Sequence, residues 1–365
     1  MLTVGVEEEF LLLDRDGAVV PAALDLVRAS GAGGQVQPEL MAYQIETATR
    51  VCTELGDLRS ELVRLRQLVA EGAEREGLHM VAAGAPPYPS AAVAEVTAHP
   101  RYQAIARQFP TATAVAGGDC ACQVHVGIPD REVGVQVLAR LRPWLPVLLA
   151  LTANSAVVNG GDTGWRSYRY RMQMHWPTFR PPGVWANPDR YDRTMQSLVD
   201  SGAAVDEAGV YLLARLSSRY PTVEVRVGDA CLTAEDALLF AAVVRALVAT
   251  IMLDLRIGWH DEPLRGRPLD SGLLTVARRG VDGLRVRAGW EPSLALPHRL
   301  SLLLEKVTPA LIAMGDVEEV RRGFERIARH GTGADRQRAL LSRATSRRAF
   351  IAALADAAVP ALSVG

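Results

Sequence analysis

The sequence predicts one α+β domain, in which strands of alternating polarity form a sheet covered by long helices. Three observations lead to this fold class. Segments of strict apolar and polar alternation recur along the chain, apolar residues recur at helical spacing between them, and no internal repeat or low-complexity linker divides the 365 residues. We therefore expect residues 1–365 to form a single domain, with a helical carboxy-terminal part at about 290–365.

The first strand is predicted at residues 4–14, where three consecutive glutamates lie inside an apolar run. Successive side chains of a strand point to opposite faces, so Glu7 and Glu9 share one face and Glu8 lies on the other. Two carboxylates roughly 6 to 7 Å apart on one face repel each other unless a divalent cation lies between them. The segment therefore favours a cation site, and an edge strand with solvated glutamates is the alternative.

Helices and strands alternate along the rest of the chain. The predicted elements, in chain order, are a helix at 58–76, a strand at 80–85, a strand at 121–128, a helix at 132–153, a strand at 221–229 and a helix at 234–259. Pro143 and Pro146 disturb the middle of the second helix. Residues 154–185, rich in Gly, Arg and aromatic residues, are too long for a simple connection and predict a binding loop or lid.

Three further strands repeat the arrangement of the first, with valine or isoleucine on one face and polar side chains on the other. The polar-face residues are Gln44, Glu46, Gln123, His125, Thr222, Glu224 and Arg226. Carboxylate oxygens suit hard cations such as Mg²⁺ or Mn²⁺, and arginine offers a bidentate fork to phosphate or carboxylate. Together these residue types predict a metal-dependent site for an anionic ligand, as in phosphoryl transfer.

Composition and motifs restrict the other possible functions. The net charge of -1 leaves no basic surplus for nucleic acid, and no run of 18 apolar residues predicts a membrane span. The amino terminus has no basic region and no cleavage site, so we expect a cytoplasmic protein.

The four cysteines do not form a disulfide framework for a chain of this length. Neither a P-loop nor a G-x-G-x-x-G motif is present in the sequence. Zinc bound by His125 for hydrolysis remains an alternative, although the sequence contains no H-E-x-x-H motif.

Six ordered motifs resemble a known family. They are VGVEEEFLLLD at 4–14, PELMAYQIETATRVC at 38–52, CQVHVGIPD at 122–130, LTANSAVVNGGDTGWRSYR at 151–169, WPT at 176–178 and YPTVEVRVGDACL at 220–232. In this order they resemble the carboxylate-amine ligases related to glutamate-cysteine ligase, the second glutamate-cysteine ligase type of bacteria. The architecture of this superfamily is similar to that of glutamine synthetase, with a curved antiparallel sheet that forms a funnel.

The resemblance implies an ATP-dependent ligase that converts a glutamate-like carboxylate to an acyl phosphate, which an amine then attacks to give an amide. It implies Mg²⁺, or Mn²⁺ in its place, as a cofactor and a homodimer as a possible assembly. The implied metal ligands are Glu7, Glu9, Glu46, His125 and Glu224. Arg226, with Gln123 and Thr222, would contact ATP, and Arg226 would face the transferring phosphoryl group. Arg169 would bind the substrate carboxylate, and Asp162 and Ser167 match regular positions of the same motif.

Three segments depart from the family pattern: residues 213–217 around Arg215, residues 271–280, and Phe179-Arg180 after the WPT motif. The first two departures leave open a ligase-derived protein that binds nucleotide without forming an amide. A metal-dependent amide hydrolase that does not need ATP is a further alternative.

Overall fold

The structure is a computed structural model that describes residues 2–88, 95–258, 267–280 and 296–359. Its strands are β1 (Val4–Leu13), β2 (Val36–Pro38), β3 (Gln44–Ala48), β4 (His79–Val81), β5 (Ala121–Gly127), β6 (Val157–Val158), β7 (Gly161–Asp162), β8 (Ala214–Leu216) and β9 (Thr222–Asp229).

The helices in the first part of the chain are α1 (Ala23–Ser30), α2 (Leu55–Arg75), α3 (Pro100–Gln108), α4 (Pro110–Ala116), α5 (Arg131–Leu141), α6 (Leu145–Thr152), α7 (Tyr168–Gln173) and α8 (Pro188–Asp200). Those that follow β9 are α9 (Ala234–Arg256), α10 (Arg267–Arg279), α11 (Leu296–Met314), α12 (Val317–His330), α13 (Gly333–Arg343) and α14 (Arg347–Ala358).

One large antiparallel sheet organises the described residues. Its strand order is β2-β3-β1-β5-β9-β8, and β4 pairs with the end of β1. Every pairing in this sheet is antiparallel. The register places Glu9 opposite Glu46, Glu7 opposite Gln123, and His125 opposite Glu224. The polar residues of four strands therefore lie side by side on one face.

The other face of the sheet carries the main hydrophobic core. Val4 and Val6 of β1, together with Val124 and Val126 of β5, are buried in a cluster that includes most of α9. Helix α9 packs against α2, α11 and α12. Because apolar and polar side chains alternate along each strand, burial of the valines directs the glutamates to the opposite face.

Several boundaries differ from those predicted. The expected helix at 132–153 is two helices, α5 and α6, separated by a 3-10 turn at Arg142–Trp144. Pro143 lies in this turn, where its ring and missing N–H oppose a continuous α-helix. The segment 154–185 is not a plain loop, since it contains the β6–β7 hairpin and α7. Residues 259, 290–295 and 360–365 of the predicted carboxy-terminal elements lie outside the described residues, and the single-domain division stays a prediction.

Within the part of the chain that the structure describes, two helical stretches are long and apolar enough to cross a membrane, at Arg131–Thr152 and Ala234–Arg256. Most of their apolar length, 72% and 67% respectively, is buried inside the fold. Burial of this kind is the ordinary property of core helices, so these stretches are weak evidence for a membrane protein.

Candidate active site

A cavity of about 410 Å³ lies over the polar face of the sheet. Eight of the residues predicted to form the site line it: Glu7, Glu9, Glu46, Gln123, His125, Arg169, Glu224 and Arg226. Thr222 is not among the lining residues; its hydroxyl contacts Nδ1 of His125 at 3.0 Å. The structure thus brings together side chains that are up to 219 positions apart in the sequence, from Glu7 to Arg226.

The three consecutive glutamates divide between the two faces of β1, as the alternation predicted. Glu7 and Glu9 line the cavity. Glu8 points the other way, is 1% exposed, and forms a two-bond ion pair with Arg66 of α2 at 3.0 and 2.6 Å. The solvated edge strand is excluded for this segment, because β1 is paired on both sides.

Glu7, His125 and Glu224 form a cluster able to hold a divalent cation. One ligand atom from each lies within 4.8 Å of the others. His125 Nε2 is 3.3 Å from Glu7 Oε1, while Nδ1 contacts the Thr222 hydroxyl. A contact at Nδ1 fixes the ring and leaves Nε2 facing the cluster, which is the usual arrangement of a metal-ligating histidine. The two carboxylates suit Mg²⁺ or Mn²⁺, while the imidazole also suits a transition-metal ion such as Zn²⁺.

Glu224 is kept ionised by two arginines. Arg215 of β8 donates to it through Nε at 3.0 Å, and Arg226 contacts both Glu224 and Gln123. Burial by itself would raise the pKa of Glu224, but the adjacent Arg226 and Arg215 guanidinium groups lower it. Arg215 also donates to the backbone carbonyls of residues 207, 208 and 210, so the loop before β8 holds it in place.

A second acidic cluster consists of Glu9, Glu39 and Glu46. Glu9 accepts hydrogen bonds from the Ala121 backbone N–H at 2.7 Å and from Gln123 Nε2 at 3.0 Å. Burial, and then the charge of Glu39, raise the pKa of Glu9 to about 7. Burial and the neighbouring carboxylates likewise raise the pKa of Glu46 well above its usual value. A bound cation would favour the ionised form of these carboxyl groups and so lower their raised pKa values.

The stability of the cation-free protein is therefore expected to fall as the pH rises. An unfolded glutamate titrates near 4.5 and folded Glu9 near 7, so between these values the folded state binds more protons than the unfolded state. Stability is then lost as the pH rises through this window, on the order of 1 to 3 kcal/mol in all. Denaturant unfolding at several pH values, with and without Mn²⁺, measures both effects.

Mn²⁺ should stabilise the protein more at about pH 8 than at about pH 5.5, because it competes with protons for the same carboxylates. The Glu9→Gln variant is the control and should weaken the pH dependence, since it removes one of the carboxyl groups whose pKa is raised. A stabilisation by Mn²⁺ that does not change with pH would contradict the prediction.

Arg169 lies on the cavity wall at the start of α7, with its side chain 6% exposed. Among the described residues, its Nε and Nη1 have no hydrogen-bond partner, and Nη1 is 3.8 Å from Asp229 Oδ1. An arginine with unused donors that is buried beside a cavity is suited to bind an anionic group of a ligand.

Asp229, at the end of β9, positions the segment that carries Arg169. Its carboxylate accepts hydrogen bonds from the Asn154 backbone N–H at 2.9 Å and from the Ser155 and Ser167 hydroxyls at 2.7 Å each. Ser155 in turn accepts from the backbone N–H of Arg169 at 2.9 Å. Ser167 is also the N-cap of α7. The two serines therefore connect Asp229 to the first turn of the helix.

Residues 271–280, which depart from the family pattern, support the segment that precedes Arg169. The Ala277 carbonyl accepts hydrogen bonds from the backbone N–H groups of Arg166 and Ser167. Asp162 lies outside the cavity, where it pairs with Arg338 at 2.8 Å. Asp162 therefore forms a structural ion pair and is not a residue of the site.

Sequence reasoning missed several residues of the cavity. Glu39, Tyr102, Asp119 and Gln173 all line it. Glu39 lies within the second quoted motif, but it falls outside the alternating strand face on which the prediction was based. Asp119 lies two residues before β5, where no periodicity identifies which way a side chain points. The four cysteines are buried and free, as expected.

Comparison with known proteins identifies the family. A family model described as glutamate-cysteine ligase family 2 matches residues 3–356. The relative named "Putative glutamate-cysteine ligase 2-2" from Mycobacterium sp. (strain KMS) is 42% identical over 368 residues, covering 98% of this chain and 98% of the relative. The relative named "Putative glutamate-cysteine ligase 2" from Salinispora tropica is 42% identical over 351 residues, covering 94% and 91% respectively.

Two solved structures share the fold. A glutamate-cysteine ligase from Francisella tularensis in complex with AMP has a TM-score of 0.73 at 13% identity, covering 97% of this chain and 87% of that one. A bifunctional glutathione synthetase from Pasteurella multocida has a TM-score of 0.71 at 14% identity, covering 97% of this chain and 52% of that one. These likenesses confirm the predicted α+β fold class. Because the family model spans almost the whole chain, the protein belongs to glutamate-cysteine ligase family 2 and is an ATP-dependent ligase that forms a carbon–nitrogen bond.

Proposed function

We propose that this ligase uses Mg·ATP to activate a glutamate-like carboxylate as an acyl phosphate and joins it to the nitrogen of a small-molecule amine. The observation that carries the proposal is the presence of two complementary groups in one cavity. The cluster of Glu7, His125 and Glu224 fits a divalent cation, and the buried Arg169 has unused donors for a carboxylate.

The proposed reaction has two steps, and the acidic residues of the cavity would hold the cations that it needs. The γ-phosphoryl group of ATP is transferred to the substrate carboxylate oxygen, releasing ADP. The amine nitrogen then attacks the carbonyl carbon, loses a proton and displaces phosphate. Glu7, His125 and Glu224 would hold the cation, with Glu9, Glu46 and Glu39 available for further cations. A bound cation would supply positive charge to neutralise the phosphate oxygens.

Arg226 would stabilise the transferring phosphoryl group. Its guanidinium bridges Glu224 and Gln123 on the cavity floor, next to the proposed cation ligands. A cation bound at Glu224 would weaken the hold of that carboxylate on Arg226, whose donors could then face phosphate oxygens. Gln123 orients both Arg226 and Glu9, while Thr222 orients His125 and so supports the cation site from behind.

The test is phosphate release from ATP with Mg²⁺, in which glutamate and other carboxylates are paired with cysteine and a panel of amines. We expect release to require both a carboxylate and an amine, with an amide of the summed mass less one water. Omission of either substrate is the control. Tight ATP binding without release for any pair would favour a nucleotide-binding protein that forms no amide. Amide cleavage that needs the cation but not ATP would indicate a hydrolase.

The proposal also includes the location of the enzyme in the cell and its assembly. A cytoplasmic location would provide the ATP that the reaction consumes. A homodimer is proposed from family resemblance, and its measurement is the mass of the protein in solution.

A further inference from the structure

Helix α13 lies against the segment that leads to Arg169. The backbone N–H of Ala334 in this helix donates to the Ala153 carbonyl at 2.8 Å. The side chain of Arg338, one turn further on, donates to the Trp165 carbonyl at 2.9 Å. None of the described residues of α13 lines the cavity. A helix from the carboxy-terminal part of the chain therefore holds this segment at both ends, from outside the site.

The side-chain amide of Gln337 makes the central contact between α13 and this segment. Gln337 is 1% exposed. Its Nε2 donates to the backbone carbonyl of Asn154 at 2.7 Å and to Asn154 Oδ1 at 3.0 Å. Its Oε1 accepts from the backbone N–H groups of Ala156 at 2.9 Å and Val157 at 3.2 Å. A glutamine amide offers two donors and an oxygen with two lone pairs, so the whole amide is used on residues 154–157.

The sheet holds Asn154 from the other side. Its backbone N–H donates to Asp229 at 2.9 Å, and its Nδ2 donates to the carbonyls of Ala82 at 2.9 Å and Ala230 at 2.7 Å. Gln337 therefore connects α13 to a residue that is already fixed to the strands. Buried polar groups that satisfy one another in this way restrict a segment to one conformation.

Ser155 is the link between Gln337 and Arg169. It lies between Asn154 and Ala156, the residues that the Gln337 amide binds on either side. The Ser155 hydroxyl accepts from the backbone N–H of Arg169 at 2.9 Å. A shift of this serine would thus move the first turn of α7 and the guanidinium group that extends from it.

We propose that Gln337 is a positioning residue for Arg169, and that helix α13 thereby sets the affinity for the carboxylate substrate from outside the cavity. The inference rests on the proposed function, in which Arg169 binds that carboxylate. The proposed cation ligands of the three-residue cluster lie on β1, β5 and β9, which pair with one another through their own backbones. Gln337 should therefore affect binding of the carboxylate and leave binding of the cation and the nucleotide unchanged.

The first measurement is the kinetics of Gln337→Met, which keeps the length of the side chain and removes all four hydrogen bonds. We expect KM for glutamate, or for whichever carboxylate of the panel supports phosphate release, to rise at least about tenfold, because a small displacement of a charged binding group weakens its contact. We expect kcat, and the affinity for a non-hydrolysable ATP analogue with Mn²⁺, to change less than about threefold.

The matched control is Asp316→Asn. Asp316 is another buried residue of the carboxy-terminal part, where it pairs with Arg245 outside the cavity. This variant should lower the free energy of unfolding, because it weakens a buried ion pair, and it should leave KM unchanged. A rise in KM of about tenfold in both variants, or in neither, would overturn the inference, since a general loss of stability would affect them alike.

The second measurement is amide hydrogen exchange without substrate, followed by mass spectrometry. Gln337→Met should speed exchange in residues 154–170, including the Arg169 N–H, and leave β5 and β9 protected, whereas Asp316→Asn should not show this local effect. Unchanged exchange at 154–170 in Gln337→Met would overturn the inference. If the unmodified protein releases no phosphate with any pair of substrates, the proposed reaction is contradicted, and exchange alone decides whether Gln337 holds Arg169 in place.

Discussion

Glu224→Gln is expected to reduce ATP-dependent turnover on the order of 10³-fold or more while the protein remains folded. Glu224 belongs to the three-residue cluster proposed to hold the cation, and it contacts Arg226 at the cavity floor. Glutamine keeps the shape and one acceptor oxygen but removes the charge that a cation and two arginines require. The loss should appear in kcat, because the charge stabilises the phosphoryl group during transfer more than it stabilises bound ATP.

Glutamine is preferable to alanine at this position. Alanine would remove both oxygens that Arg215 and Arg226 contact in a buried site, whereas glutamine keeps one, so with alanine a loss of folding would be confused with a loss of chemistry. The matched control is Glu61→Gln. Glu61 is a glutamate of α2 whose side chain is 3% exposed and paired with Arg50 and Arg64, and it lies outside the cavity. Turnover of Glu224→Gln within about tenfold of the unmodified protein would contradict the assigned role.

Removal of one member of the Glu8–Arg66 ion pair is expected to have the largest effect on stability. Arg66 is 0% exposed and donates to Glu8 as well as to the backbone carbonyls of Cys231, Leu232 and Ala358. Arg66→Met should lower the free energy of unfolding by about 3 to 5 kcal/mol, because it leaves a buried carboxylate uncompensated. Denaturant unfolding followed by circular dichroism measures this loss.

The double variant Glu8→Met/Arg66→Met should recover part of the loss, since it removes both buried charges. The control is Arg348→Met, which breaks a two-bond ion pair with Asp16 on the surface. This exposed pair should leave the unfolding midpoint almost unchanged. A loss in Arg66→Met no larger than that in Arg348→Met would show that the buried pair does not hold β1 against α2.

Much of the site could be predicted because strand alternation is a local property. Once Val4 and Val6 are assigned to the core, Glu7 and Glu9 must share the opposite face, and the same argument applies to His125 and Glu224. Hydrogen bonding between strands then places these residues side by side. The prediction that Glu8 lies on the opposite face was also correct, but its partner Arg66 is 58 residues away and no spacing rule identifies it.

Residues outside the regular strands could not be predicted in this way. Glu39 and Asp119 reach the cavity from connections in which no periodicity determines the direction of a side chain. The prediction of one continuous helix at 132–153 was wrong, because the effect of two prolines depends on how the packed core accommodates them. The departures around Arg215 and at 271–280 could be recognised in the sequence. Their contacts with Glu224 and with the loop before Arg169 became visible only in the fold.

The sequence by itself determined the α+β class, the polar face of the sheet that carries the proposed cation ligands and, through its ordered motifs, the ligase family. All three follow from patterns that repeat over a few residues or from motifs that can be compared directly. Only the tertiary structure decided which charges remain unsatisfied. Asp229 is matched by three donors, whereas Asp119 and Arg169 have donors and acceptors to spare, and these differences arise from contacts between segments distant in the chain. Electrostatic balance depends on the complete three-dimensional neighbourhood of a group, so the linear order of residues does not reveal it.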